Sequence, residues 1–301
     1  MRISTNTIYQ SAITKISNLQ SDQSRLQQQI ATSKKILTPS DDPVGSSRVL
    51  ELSQAKNMNT QYKDARSVAN TRLGDLDISL DSITEALMGT QTTLVGAAGT
   101  LSSTQRTVLA IQMNSTMDTL LGLANTQDAA GNYIYAGFQN KTKPFSASIT
   151  GATYNGDSNQ QSLQIDAQRQ MIVNETGDDV FKAGGNDLFQ TLSDLMTLLN
   201  NPTATDTAVS SGVATALASI KNGITNVATI RSTVGHRMNE LDALNTVGDS
   251  RELQYSQAIS DIQDLDYAQA LSDLSQKQVI LEAAQKSFAK TTSLSLFDYI
   301  R

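Results

Sequence analysis

Residues 8–30 read IYQSAITKISNLQSDQSRLQQQI, and the apolar positions in that run decide the fold. Ile8, Ala12, Ile16, Leu19, Leu26 and Ile30 recur at spacings of three, four and seven, with Gln23 alone interrupting. That is a heptad seam on one helix. Continued towards Pro39, the helix would be roughly 45 Å long at about 1.5 Å per residue. The far end of the chain carries a matching stripe in Ala270, Leu274, Leu281, Ala284 and Phe288, with Lys277 interrupting. A lone amphipathic helix gains little by folding in water, so each stripe needs a partner. The expectation is that both chain ends build a coiled coil and that this pairing is central to what the protein does.

The rest of the composition suits long helices with narrow apolar stripes better than a thick core. Of 301 residues, 39% are hydrophobic and 5% aromatic, and there is no Trp. The net charge of −6, with no basic run longer than Lys34-Lys35, excludes a phosphate-tracking surface, so nucleic acid is not an expected partner. Cysteine is absent, which removes disulfides, thiol catalysis and thiolate metal sites. The start Met1-Arg2-Ile3-Ser4-Thr5-Asn6 lacks the apolar region of a Sec-type signal peptide, and no segment approaches the ~20 apolar residues of a membrane span. Export, if it occurs, would use another signal.

Prolines and glycines punctuate the chain. Thr38-Pro39-Ser40-Asp41-Asp42-Pro43 reads as a tight corner, with Asp42 as N-cap and Pro43 at the first position of the next helix. From Val44 a second helix runs towards Leu94 on Leu52, Ala55, Tyr62, Ala69, Leu73, Leu76, Leu80, Ile83 and Leu87. A third follows through Leu109, Met113, Met117, Leu120 and Ala124. Between Phe145 and Phe181 the pieces Leu163-Gln164-Ile165 and Met171-Ile172-Val173 read as strands, and Tyr154-Asn155-Gly156-Asp157 as an Asn-Gly turn. This region is expected to be a small β-rich insertion outside the helices, with a slight core.

Helix returns in Leu188, Leu192, Leu195 and Leu199, ending at Asn200-Asn201-Pro202. The most regular seam comes next: Val213, Leu217, Ile220, Ile224, Val227, Val234, Met238 and Leu241, with Arg231 out of character. Gly248-Asp249 is expected to break this helix, and Asp249 with Glu252 to form a capping box opening the last one. That last helix changes register at Asp264-Leu265-Asp266-Tyr267, a stutter that suggests a change of partner.

No catalytic constellation is present. His236 is the single histidine and sits beside Val234 on a helix, so no triad or zinc site can be assembled. Asp75-Leu76-Asp77 and Asp264-Leu265-Asp266 are too short for calcium loops and read as solvated helix faces. The glycines match neither a phosphate loop nor a dinucleotide fingerprint. The chain is not expected to be an enzyme and needs no cofactor or metal.

Several stretches carry a resemblance: Arg2-Ile3-Ser4, the heptad helix, Ser40-Asp41-Asp42-Pro43-Val44, Tyr154-Asn155-Gly156-Asp157, Gly177-Asp178-Asp179-Val180-Phe181, and Leu294-Ser295-Leu296-Phe297-Asp298-Tyr299. Together, and in this order, they resemble the bacterial flagellin superfamily on the side of its hook–filament junction proteins. Flagellins usually carry alanines where this chain has Pro43, and tend to end in a Leu-Leu-Arg-type tail. The resemblance implies a structural subunit of the flagellum, exported unfolded without a cleaved signal peptide, that joins hook to filament in a ring of identical subunits. Its implied partners are itself, hook-associated protein 1 on the hook side, flagellin on the filament side, and an export chaperone in the cytoplasm, with no membrane insertion.

The implied fold is mainly α: long coiled-coil-like helices from both chain ends forming a helical trunk, with a small β-rich inserted domain. The expected division is 1–42 with 262–301 for assembly, 43–138 with 186–261 for the trunk, and 139–185 for the outer β domain. The expected assembly seam is Ile8, Ile16, Leu19, Leu26, Ile30, Leu274, Leu281, Ala284 and Phe288. The resemblance further places chaperone binding on Ile262, Leu271, Leu274, Leu281, Phe288 and Leu296. A filament flagellin has the same physics, and a cytoplasmic coiled-coil adaptor is the alternative from another class.

Overall fold

The computed structural model describes residues 5–148 and 151–293. The chain divides into two compact units: residues up to Met58 together with those from Ser250, and Asn59–Asp249. The elements in order are α1 (Thr5–Thr32), α2 (Pro43–Gly96), α3 (Ser103–Ala124), β1 (Phe145–Ser148), β2 (Gly151–Tyr154), β3 (Ser162–Asp166) and β4 (Arg169–Ile172). They are followed by α4 (Gly177–Phe181), α5 (Leu188–Leu199), α6 (Asp206–Gln263) and α7 (Tyr267–Ser293).

The α1 helix ends at Thr32, well before Pro39. Ser33 takes φ 60°, its N–H donates to the Ile30 carbonyl at 3.3 Å, and the Lys34 N–H donates to the Gln29 carbonyl at 3.2 Å. This is the paired hydrogen-bond pattern that closes helices when a left-handed residue follows the cap, a position usually filled by glycine. With serine there, no stop signal short of the proline is visible in the residues. The corner itself forms as expected. Asp42 Oδ1 accepts from the Gly45 N–H at 2.9 Å, capping α2 at Pro43. Gly45 is required here, because a Cβ would lie 2.3 Å from Asp42 Oδ2 and 2.9 Å from Ile36 Cδ1.

Two expectations about the C-terminal half are corrected. Helix α6 runs unbroken through Gly248 and Asp249, and no new helix opens there. Gly248 is glycine because another chain segment lies against it. A Cβ would lie 2.5 Å from Arg66 Nη2, and the Gly248 carbonyl accepts from Asn59 Nδ2 at 2.8 Å. The true break falls where only a register slip was expected. Helix α6 stops at Gln263, Asp264 bridges to Lys34, and Asp266 Oδ1 accepts from the Gln269 N–H at 3.1 Å to start α7. Asp266 is therefore a cap, not a solvated helix face. Asp77 departs from that expectation too: with Asp81 it binds the Arg231 guanidinium, which explains the one charged residue in the α6 seam. These carboxylates hold Arg231 above its ordinary value.

In the Asn59–Asp249 unit most residues of the apolar stripes are buried, with Tyr62, Leu217, Ile224 and Met238 half-buried. Ala69, Leu73, Leu76, Leu80, Ile83 and Leu87 of α2 are buried, as are Leu109, Met113 and Leu120 of α3 and Val213, Ile220, Val227, Val234 and Leu241 of α6. The β region contributes more core than its sequence promised. Phe145, Ile165 and Phe181 are 0% exposed and belong to the same apolar cluster as the helices. Rings of Phe145, Phe181 and Phe189 stand 5.1–5.3 Å apart, within the range of favourable aromatic pairs. Strands pair as two antiparallel hairpins, β1–β2 and β3–β4. The Tyr154–Asp157 stretch is not a hairpin turn: it follows β2, and the β1–β2 connection lies at 149–150, outside the described residues.

Candidate functional site

The two stripes from the chain ends meet in the unit formed by residues up to Met58 and from Ser250. Helices α1 and α7 pack antiparallel, as three contacts along their length show. Tyr9 and Phe288 rings are 5.2 Å apart, Lys277 Nζ lies 2.6 Å from Asp22 Oδ2, and the Tyr267 hydroxyl donates to the Ile30 carbonyl at 3.0 Å. These contacts run in opposite order along the two helices: Ile30 lies by Tyr267, Asp22 by Lys277, and Tyr9 by Phe288. Lys277 and Asp22, with Gln23 next in sequence, form a polar layer. A polar layer in an apolar seam lowers stability but penalises slipped registers, which would bury a charge against leucine.

Among the predicted seam residues whose side chains are described, none is buried. Ile16, Leu19, Leu26, Ile30, Leu274, Leu281, Ala284 and Phe288 are all half-buried, and Ala270 alone among the stripe residues is buried, at 3% exposure. Nothing is described of the Ile8 side chain, and Leu296 lies outside the described residues. The contrast with the largely buried α2 and α6 stripes is physical: two helices can cover only one side of each other's apolar arc. Large apolar side chains also remain uncovered in this unit, among them Val44 at 80% exposure, Leu50 at 70%, Leu253 at 71% and Val279 at 65%.

The residues expected to meet a chaperone divide into two groups. Leu274, Leu281 and Phe288 point into the α1–α7 seam, whereas Leu271 is exposed and Ile262 lies half-buried near the end of α6. A partner on α7 that took the covered sides of the first group would compete with α1 for them.

A clasp at the end of the seam was not legible in the sequence. Leu265 donates its N–H to the Ser33 carbonyl at 3.1 Å, Lys35 to that of Gln263 at 2.7 Å, and the Ser33 and Tyr267 hydroxyls lie 2.5 Å apart. Beside it, Asp41 Oδ2 accepts from the Leu37 and Thr38 N–H groups, both at 3.0 Å, and Oδ1 pairs with Arg25. Those backbone donors, with the Arg25 charge adding to them, hold the Asp41 carboxyl below the usual carboxylate range. The one available signal was the pairing of Asp41 with Pro39 and Pro43, which marks a turn but not its partner.

Among the described residues no group of three or more His, Cys, Asp or Glu side chains could hold a metal ion, and His236 is exposed on α6. No described helix is long and apolar enough to cross a membrane.

Comparison with known proteins gives concordant matches at both chain ends. Residues 3–140 match the bacterial flagellin N-terminal helical region, and residues 217–300 the bacterial flagellin C-terminal helical region. Flagellar hook-associated protein 3 of Escherichia coli strain K12 is 35% identical over 315 aligned residues, covering 99% of both chains. The Salmonella typhimurium LT2 protein of that name is 31% identical and aligned over the whole of both chains. Among solved structures, a flagellar hook-associated protein from Vibrio parahaemolyticus superposes with a TM-score of 0.69 at 22% identity, covering 74% of this chain and all of its own. A hook-associated protein 3 from Legionella pneumophila gives 0.65 at 17%, covering 71% and 98%.

Proposed function

This chain belongs to the bacterial flagellin superfamily, in its hook-associated protein 3 branch, and on that premise we propose that it is the structural subunit joining the flagellar hook to the flagellin filament. Full-length similarity to two proteins named hook-associated protein 3 supports the junction over the filament and over a cytoplasmic adaptor. The observation that carries the mechanism is the half-covered seam. The α1–α7 pair packs antiparallel but leaves most of its apolar stripe residues half-exposed, which suits a component that completes its core against copies of itself. Subunits so built form a closed ring, with hook-associated protein 1 on one side and flagellin on the other. The terminal segments 1–42 and 262–301 assemble, the helices of 43–138 and 186–261 bear load, and 139–185 faces outward.

The same seam accounts for export. A chaperone that takes the α1-facing sides of Leu274, Leu281 and Phe288 displaces α1 and keeps the subunit from closing its seam before secretion. Leu271, Ile262 and Leu296 extend that contact. Secretion then proceeds without a cleaved signal peptide. The test is to supply Leu281→Asp or Phe288→Asp in a bacterium lacking its own junction protein. Each carboxylate in a half-buried apolar layer costs about 1–3 kcal/mol per subunit contact, enough to prevent ring closure. Filaments should detach while the secreted variant keeps its Asn59–Asp249 unit folded. Wild-type filament attachment with both variants would refute the proposal.

A further inference from the structure

The chain contains two Asn-Gly dipeptides, Asn155-Gly156 and Asn222-Gly223, and the fold treats them oppositely. Both asparagines are exposed. Asn222 and Gly223 lie inside α6, where the backbone N–H of Gly223 is held in the helix ladder and Gly223 itself is buried against Leu188. Asn155 and Gly156 lie just beyond β2 in no regular element, and among the described residues Gly156 N–H has no hydrogen-bond partner. Glycine at that position is also needed for packing, since a Cβ would lie 2.4 Å from the Tyr154 hydroxyl oxygen. The dipeptide most open to self-reaction is thus built into the fold and cannot be blocked by a larger neighbour.

We infer that Asn155 is a site of spontaneous, enzyme-independent modification, converting to aspartate and isoaspartate in the folded protein while Asn222 stays intact. The Gly156 backbone nitrogen attacks Asn155 Cγ and loses its proton. A new C–N bond forms, the Cγ–Nδ2 bond breaks, and ammonia leaves with that proton. The resulting five-membered imide is opened by water at either carbonyl. Opening at the backbone carbonyl carbon leaves the chain running through the former side chain, and opening at Cγ gives aspartate. No oxidation state changes, and water is the sole co-reactant.

The structural consequence follows from what brackets the site. The Asn155 N–H donates to the Pro144 carbonyl at 2.7 Å, Asn155 Nδ2 donates to Ser146 Oγ at 3.0 Å, and the Asp157 N–H donates to the Ala136 carbonyl at 3.3 Å. Isoaspartate inserts an extra backbone carbon between two of these anchors and removes the third donor. It also adds a carboxylate close to Asp157, whose Oδ1 accepts from the Phe138 N–H at 3.1 Å. The anchoring of the β1–β2 hairpin should therefore loosen as the protein ages.

The test incubates the purified full chain in mildly alkaline buffer at physiological temperature. Peptide mapping by mass spectrometry then follows both asparagines, and isoaspartate is scored by methylation with an isoaspartyl methyltransferase. A urea-unfolded sample gives the rate each site has without the fold. We expect Asn155 to convert roughly tenfold or more faster than Asn222 in the folded chain, because a helix interior reacts only through rare opening. The two rates should converge in urea, and Asn155→Gln should abolish the methyl-accepting signal of the folded sample. Equal rates at both sites in the folded chain, or an Asn155 that converts in urea but not when folded, would overturn the inference.

Discussion

Replacing Gly248 by alanine separates two readings of that residue. If Gly248 were a helix breaker, alanine would remove a defect and strengthen α6 by about 1 kcal/mol. The structure dictates the opposite sign. The new Cβ would meet Arg66 Nη2 at 2.5 Å, and Arg66 is 2% exposed, so its guanidinium cannot swing into solvent. Arg66 also donates Nε to Asn245 Oδ1 at 2.7 Å and Nη1 to the Ile165 carbonyl at 3.0 Å. Displacing it puts at least one charge-assisted hydrogen bond at risk, costing about 1.5–3 kcal/mol, against a helix-propensity gain near 1. The net expectation is a loss of about 0.5–2 kcal/mol. Gly235 supplies the control: it lies in the same helix, and nothing is within 4 Å of its would-be Cβ. Gly235→Ala should stabilise by about 0.5–1 kcal/mol. Urea unfolding followed by circular dichroism would measure both, with the transition of the Asn59–Asp249 unit fitted separately. A Gly248→Ala protein as stable as Gly235→Ala would refute the close-approach argument.

Three further outcomes follow from the same geometry. Tyr267→Phe removes the hydroxyl that reaches the Ile30 carbonyl and Ser33, so amide exchange at Ser33 and Lys35 should accelerate several-fold with little change in global stability; unchanged exchange would count against the clasp. Ser33→Gly should raise local stability by up to about 1 kcal/mol, since it relieves the left-handed conformation at φ 60°, and a clear loss would show that the serine hydroxyl matters more than the strain. Burial, reinforced by the nearby Asp178, Asp157 and Asp179 charges, pushes the Tyr154 phenol up from 10.0 to about 12. A neutral group held protonated by the fold contributes fully below its unfolded pKa, and that contribution is lost as pH rises from 10 towards 12. The fall in melting temperature across that window should be shallower for Tyr154→Phe, and parallel curves would remove Tyr154 from the account.

Much of the helical plan was legible because long stripes carry a periodic signal. The α2 and α3 stripes and the seam of α6 occur where the apolar spacing placed them. The errors cluster where one residue type serves an unusual purpose. Ser33 closes a helix in a conformation glycine usually fills, so the stop of α1 was hidden. Gly248 admits a buried arginine rather than ending a helix, a long-range contact that no local pattern announces. The β region was underrated because Phe145, Tyr135 and Phe181 are far apart in sequence and gain their value only when they meet. For the chain ends, the apolar spacing placed helices α1 and α7. The antiparallel register needed the Lys277–Asp22 and Tyr9–Phe288 contacts to fix it.

The central claim is that this chain sits where the hook meets the filament. Immunogold labelling of isolated hook–filament structures, with antibody raised against residues 145–181, addresses it directly. A single band of gold at the joint is the predicted result. Gold along the whole filament would make the chain a filament flagellin, and gold nowhere on the flagellum would return it to the cytoplasm as an adaptor; either would contradict the account.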